Sequence, residues 1–181
     1  GDKTMPCAIV PGARQTVVDI GGGSTEVLVG GAEVERAISV PIGSVRMTER
    51  CVTSDPPTEA DRRRLVDEID AALAAAPVPE GRLVGIAGTV TTLAAIHLGM
   101  TDYDGARVHG LPLPRAAVEE VVDRLGRTPL ADRKRTPGLD PRRADVIYAG
   151  GVILLRLMAR GGGDAVVVSD RGIRWGLAYE I

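Results

Sequence analysis

Along the first forty residues apolar positions come in short β-rich runs separated by glycines, and after Pro57 their spacing changes to that of a helix. Residues 16–20 and 26–29 flank Gly21-Gly22-Gly23-Ser24-Thr25, and Gly30-Gly31-Ala32 leads into residues 33–40, which predicts a three-strand meander. A short helix is expected around residues 45–50, after Pro41-Ile42-Gly43-Ser44. Thr58, with Asp61 three residues on, resembles a capping box and opens a helix to about Ala76, with Leu65, Ile69, Ala72 and Leu73 on one face. Residues 83–87 predict a buried strand, broken by Gly88-Thr89 and followed by a helix over 90–98 that Gly99 ends. Strand, glycine turn and helix in that order form a favoured anion-binding arrangement. A further strand is expected over 108–113, then a helix over 115–125 with Val118, Val121, Val122 and Leu125 inward. Residues 128–140 read as a loop or short helix. A long helix then runs from about Arg142 to Arg160 and closes at Gly161-Gly162-Gly163. A buried strand over 165–168 precedes a last helix, capped by Ser169-Asp170 and running through Gly176. The sum is an α/β chain without internal repeats or a linker long enough for two independent domains.

Composition adds exclusions. At 181 residues, 44% hydrophobic and 25% charged, the chain has the make-up of a globular domain. A net charge of -2 supplies no basic field for duplex nucleic acid, and no apolar run approaches the roughly 20 residues that cross a bilayer. Cys7 and Cys51 lack the spacing of a zinc or redox pair, which fits free thiols in a reducing compartment, so the expected location is the cytoplasm. His97 and His109 have no partner at ligand spacing, and Trp175 and Leu177 read as anchors for the last helix.

Three glycines between two strands let a backbone take positive φ and approach a ligand closely, and successive N–H groups in such a turn form an anion nest. Other glycine motifs do not fit: there is no P-loop lysine, no third glycine of a dinucleotide fingerprint and no nucleophile elbow. With the turn centred between Gly22 and Gly23, Ile20 pairs with Thr25 and Asp19 with Glu26, their Cβ atoms about 5 Å apart. Opposed carboxylates at that range repel by about 1–3 kcal/mol at an effective dielectric of roughly 20–80. A hard divalent cation relieves this, and Mg²⁺ takes one or two carboxylates together with phosphate oxygens. The other reading of the same residues leaves both acids on an exposed face, with the glycines making only a loose turn. Arg142 and Arg143 open the long helix, where a guanidinium can grip phosphate with two bonds.

Residues 19–26, Asp-Ile-Gly-Gly-Gly-Ser-Thr-Glu, resemble the phosphate hairpin of the exopolyphosphatase and guanosine-pentaphosphate phosphatase (Ppx/GppA) family. Val40-Pro-Ile-Gly-Ser-Val-Arg-Met-Thr-Glu49, Gly85-Ile-Ala-Gly-Thr-Val-Thr-Thr-Leu93, Arg143-Ala-Asp-Val-Ile147 with Ala149-Gly-Gly151, and Val168-Ser-Asp-Arg-Gly-Ile-Arg-Trp-Gly-Leu177 resemble later motifs in the same order. The resemblance implies a ribonuclease-H-like lobe of the actin-like ATPase superfamily, a mixed sheet with an initial antiparallel meander and flanking helices. Residues 16–181 would be the second lobe and residues 1–15 an interlobe linker or remnant of the first. It further implies Mg²⁺-dependent removal of terminal phosphate from polyphosphate or guanosine pentaphosphate in a cleft between lobes, by proteins that often pair as homodimers. By position, Asp19 holds the metal, and Glu26 helps hold it or orients the attacking water. Gly21, Gly22, Gly23, Ser24 and Thr25 cradle phosphate oxygens, while Gly88 and Thr89 close on a second phosphate or a nucleotide, with Arg143 on the substrate. The family's general-base glutamate belongs to the first lobe, in an acidic segment before the hairpin. Here the residues before the hairpin carry Asp2 as their sole acid. The chain is therefore expected to lack the base and the first lobe's phosphate loop, and to bind substrate while turning it over poorly. A non-catalytic alarmone or polyphosphate sensor, and a sugar-kinase or chaperone-type ATPase lobe, are the competing readings.

Overall fold

The computed structural model describes residues 12–171. The expected meander forms β1 (Gln15–Ile20), β2 (Thr25–Gly30) and β3 (Val34–Val40). Helices α1 (Ser44–Cys51) and α2 (Glu59–Leu73) follow, then β4 (Arg82–Ile86) and α3 (Ala87–His97). After them come α4 (Gly105–Val108), β5 (Pro112–Pro114), α5 (Arg115–Arg127), α6 (Leu130–Arg133), α7 (Ile147–Gly161) and β6 (Ala165–Ser169).

The strands make one mixed sheet in the order β3-β2-β1-β4-β6-β5. β1, β4 and β6 run parallel, with β2 antiparallel to β1 and β5 to β6. The C-terminal ends of β1, β4 and β6 therefore share one edge of the sheet, the edge at which open α/β sheets bind ligands. Val18, Ile20 and Val27 point from the sheet into the main core, where they meet Val90 and Leu93 of α3, Leu65 and Ile69 of α2, and Ile153 and Leu157 of α7. All of these side chains are removed from solvent, about 25 cal/mol for each Å² of apolar surface buried. The Thr58–Asp61 capping box is present: the Asp61 amide donates to the Thr58 hydroxyl at 3.2 Å and the Thr58 amide to the Asp61 carboxylate at 3.0 Å. Arg156 of α7 grips Asp70 of α2 with two bonds, at 2.7 and 2.8 Å.

Three sequence expectations are corrected. Helix α3 starts directly at Ala87, so Gly88 and Thr89 are its first turn and not a break before it. Residues 108–113 are not one strand: the Asp104 carboxylate accepts the Ala106 amide at 2.9 Å and starts a helical turn, leaving only Pro112–Pro114 to pair with β6. The long helix begins at Ile147, not at Arg142. Asp140 caps a separate 3-10 turn, Pro141–Arg143, by accepting the Arg142 amide at 3.0 Å, and the chain bends before α7. The expected last helix through Gly176, with Trp175 and Leu177, lies outside the described residues. Among the described residues no helix is long and apolar enough to cross a membrane.

Candidate functional site

Register places the two hairpin acids opposite each other: Asp19 faces Glu26 and Ile20 faces Thr25, on strands joined by the glycine tip. The alternation of side chains along a strand keeps Asp19 and Glu26 on the face away from the main core. Burial first, and the neighbouring Glu26 charge second, push the Asp19 carboxyl above the usual carboxylate range. Glu26 is held by two hydroxyls, Ser24 Oγ at 2.7 Å and Ser39 Oγ at 2.9 Å, both donating to Oε1.

The tip owes its shape to α1. Gly21 carbonyl accepts the Ser44 amide at 2.9 Å, and Gly22 carbonyl accepts the Val45 and Arg46 amides at 2.9 and 3.0 Å. Arg46 Nε donates to the Gly23 carbonyl at 2.8 Å. Helix α1 has no side-chain cap, so its unpaired first-turn amides find acceptors on the hairpin. In a trans peptide the N–H points opposite to the C=O. With all three carbonyls drawn toward α1, the N–H groups of Gly22, Gly23 and Ser24 turn away from it. Among the described residues, none of these three amides has a bonded acceptor. Three successive free amides make a concave anion site.

None of Gly21, Gly22 and Gly23 is left-handed, so the positive φ that the sequence suggested is absent from the tip, and the close approach is made by Gly43. A Cβ on Gly43 would lie 2.4 Å from the Gly22 carbonyl carbon and oxygen and 2.6 Å from the Gly23 nitrogen. The loop entering α1 thus rests directly on the tip. The wholly buried Thr25 hydroxyl donates to the Ile42 carbonyl at 2.7 Å and pins β2 to that loop. Ser24 likewise directs its hydroxyl to Glu26 and not outward.

Across the cleft stands the amino terminus of α3, an eleven-residue helix with no side-chain cap. Its entry residue Ala87 has φ of 64°, a left-handed backbone that costs a non-glycine residue about 1–2 kcal/mol. Thr89 Oγ1 donates to the Ile20 carbonyl at 2.8 Å, tying the helix to the end of β1. The Arg143 guanidinium lies flat against Gly88, where a Cβ would come within 2.2 Å of Nη1. No hydrogen bond or ion pair joins the Arg143 guanidinium to another described residue. Arg142 instead pairs with Asp140 at 2.8 Å, and that bond holds the Asp140 carboxyl down at about 2.

These parts line an open cleft of about 560 Å³. It brings together Asp19, Gly21, Gly22, Gly88, Thr89 and Arg143 of the residues singled out from sequence, while Gly23, Ser24, Thr25 and Glu26 are not among its lining residues. Asp140, Ala87, Ser44 and Val45 line it too, and sequence reasoning missed them. The Asp140-Pro141 pair was a readable signal, since an Asp cap followed by proline at the first helical position marks a helical start.

The donor set suits a small hard cation. The Asp19 carboxylate accepts no hydrogen bond from a described residue and faces the cleft, with one further carboxylate opposite. Among the described residues no group of three or more His, Cys, Asp or Glu gathers anywhere, as a calcium or zinc cage would require. Two carboxylates beside an anion nest match the habit of Mg²⁺, which takes few protein ligands and completes its shell with water and phosphate oxygens. His97 and His109 belong to no such group.

The sequence model of the Ppx/GppA phosphatase family matches residues 6–181. Exopolyphosphatase 2 of Mycobacterium tuberculosis is 42% identical over 179 residues, covering 94% of this chain and 56% of the relative. A bifunctional 3-dehydroquinate synthase/phosphatase of Fusobacterium nucleatum is 33% identical over 172 residues, which are 91% of this chain and 26% of that protein. Among solved structures, the Aquifex aeolicus PPX-GPPA enzyme superposes with a TM-score of 0.89 at 38% identity, over 94% of this chain and 58% of that one. An exopolyphosphatase from Cytophaga hutchinsonii superposes with a TM-score of 0.81 at 24% identity, over 94% and 58%, a likeness of fold alone. The mixed sheet with its antiparallel meander is that of a ribonuclease-H-like, actin-like lobe. The chain spans about half the length of the curated relatives it matches.

Proposed function

Because the chain belongs to the Ppx/GppA phosphatase family, we propose that its cleft holds the terminal phosphates of inorganic polyphosphate or guanosine pentaphosphate together with Mg²⁺, as the second-lobe half of a phosphoanhydride hydrolase. Residues 16–181 serve as that lobe, and residues 1–15 lead toward a first lobe that carries the general base. The observation that carries the reading is the set of three successive tip amides without acceptors, beside the uncapped start of α3 and the unpaired Arg143.

Each group has a part in positioning. The tip amides donate to the oxygens of one phosphate, and the first-turn amides of α3 with the Arg143 fork donate to those of its neighbour. Asp19 would hold the Mg²⁺, which when bound would supply charge to offset that of the phosphate oxygens. Glu26, fixed through Oε1 by Ser24 and Ser39, would help hold the metal or orient the attacking water. In this reading the groups of this lobe fix the chain of phosphates and balance its charge, and the base that takes the proton from water belongs to the first lobe. Phosphoryl transfer rests on positioning and charge stabilisation from all sides, so half of the cleft binds and scarcely turns over.

Titration of the chain with tripolyphosphate, with and without Mg²⁺, alongside a phosphate-release assay, tests this. Mg²⁺-enhanced binding with little release is the expected result. Equal binding with and without the metal, or tight ATP binding in preference to tripolyphosphate, would overturn it.

A further inference from the structure

The bend before α7 poses a question that the phosphate site leaves open. The sequence from Arg142 onward is compatible with continuous helix, yet the chain makes a 3-10 turn, breaks, and resumes at Ile147. A break leaves carbonyls without their helical donors. Ala144, fully buried, is one of them, and the donor that reaches it is not a backbone amide but Arg133 Nη1, at 3.0 Å.

Arg133 is itself an anomaly, an arginine with only 4% of its surface exposed. Its Nη2 donates to the Thr128 carbonyl at 2.9 Å, at the end of α5, and Asp55 lies 3.8 Å from the same nitrogen. Asp55 in turn accepts the Leu130 amide at 2.9 Å, so the loop before α2, the end of α5 and the bend before α7 all meet at one guanidinium. Its Nε has no partner. Burial disfavours the charge, which Asp55 only partly offsets. A buried, incompletely paired cation is a poor device for stability alone, since an apolar residue of similar volume often serves as well or better. What it does supply is a donor at a buried carbonyl that a straight helix would have satisfied.

The consequence falls on the adjacent residue. Arg143 hangs from the same turn, fixed on its other side by Asp140, whose carbonyl accepts the Arg143 amide at 2.8 Å. We propose that Arg133 is a positioning residue that stabilises the bend at Ala144 and thereby sets the Arg143 guanidinium against Gly88, the arrangement that readies it for phosphate. The last clause rests on the function proposed above; the contact between Arg143 and Gly88 does not.

The experiment separates the two. In the ligand-free chain at 10 °C, the nuclear Overhauser contact between the Arg143 side chain and the Gly88 α-protons reports position, and calorimetric titration with tripolyphosphate and Mg²⁺ reports binding. Arg133→Met is expected to weaken the contact and lower affinity five- to tenfold. In an Arg143→Ala background the same change is expected to lower affinity no further. Arg133→Lys keeps the cation but cannot span both carbonyls, and is expected to lose two- to threefold; it decides the matter if Arg133→Met does not fold. Losses that simply multiply in the double variant overturn the proposal. So does a lowered melting temperature with contact and affinity both unchanged, the outcome of a purely structural role. If the unaltered chain binds no tripolyphosphate, the phosphate reading falls, and the contact alone then supports or overturns the positioning role.

Discussion

Replacing Asp19 by Asn removes one of two facing charges and leaves the shape nearly intact, so the hairpin acids provide a direct measure of electrostatic strain at the cleft. At a separation of roughly 5 Å, Coulomb repulsion lies between about 0.8 and 3 kcal/mol for effective dielectrics of 80 to 20. Asp19 is only half-buried and Glu26 is partly neutralised by two hydroxyl donors, so about 1 kcal/mol is the reasonable figure. For a chain of this size that corresponds to a rise in melting temperature of roughly 2–4 °C. The pH dependence has a definite sign. A carboxyl whose folded pKa is raised disfavours the folded state once ionised, so the handicap is absent below the ordinary Asp range and grows as pH rises through the raised value. Asp19→Asn is therefore expected to match the unaltered chain near pH 3.5 and to exceed it at pH 7. With Mg²⁺ the order reverses, because binding at ten times Kd stabilises the unaltered chain by about 1.4 kcal/mol and leaves the variant without this gain. Melting curves at both pH values, with and without Mg²⁺, are the assay. A variant less stable than the parent at pH 7 without metal, or one that keeps its full Mg²⁺ response, would refute the reasoning.

Two further substitutions test the scaffold. Ala87→Gly relieves about 1–2 kcal/mol of left-handed strain against roughly 0.5–1 kcal/mol of added chain entropy, so chemical denaturation is expected to show a net gain of about 0.5–1 kcal/mol; a loss beyond 1 kcal/mol contradicts the assigned backbone. Gly43→Ala forces a methyl into the Gly22–Gly23 peptide, which is expected to destabilise by about 1–3 kcal/mol and to lower tripolyphosphate affinity tenfold or more, and calorimetry showing unchanged affinity would separate the tip from the binding site.

The hairpin was readable because its signals are local. Glycine punctuation between β-rich runs sets the turn, and a period of two then fixes Asp19 opposite Glu26 with no further information. The capping box at Thr58 and the inward face of α5 were readable for the same reason. The bend before α7 was not, since residues 142–160 carry a helical pattern and what holds the bend is a donor on α6, eleven residues before the carbonyl it reaches. Nor was the strain at Ala87, which is imposed where a strand paired on both sides turns directly into a helix. The directions of the Thr25 and Ser24 hydroxyls were not readable, because they depend on neighbours, Ile42 and Glu26, that become adjacent only in the fold. At the glycine tip the expected positive φ is absent, and the glycine the packing demands is Gly43, which presses on the tip peptide from outside.

That pressing contact bears on how this protein can vary. What the tip offers an anion is main-chain N–H, which every residue but proline carries, so a mutational scan should find the groove's recognition chemistry nearly blind to side-chain identity at the points of touch. Sensitivity moves instead to the scaffold behind, to Gly43 and to the helix that holds the carbonyls back. A lineage adapting this groove to a new anion would leave its mark there, at positions no ligand ever meets.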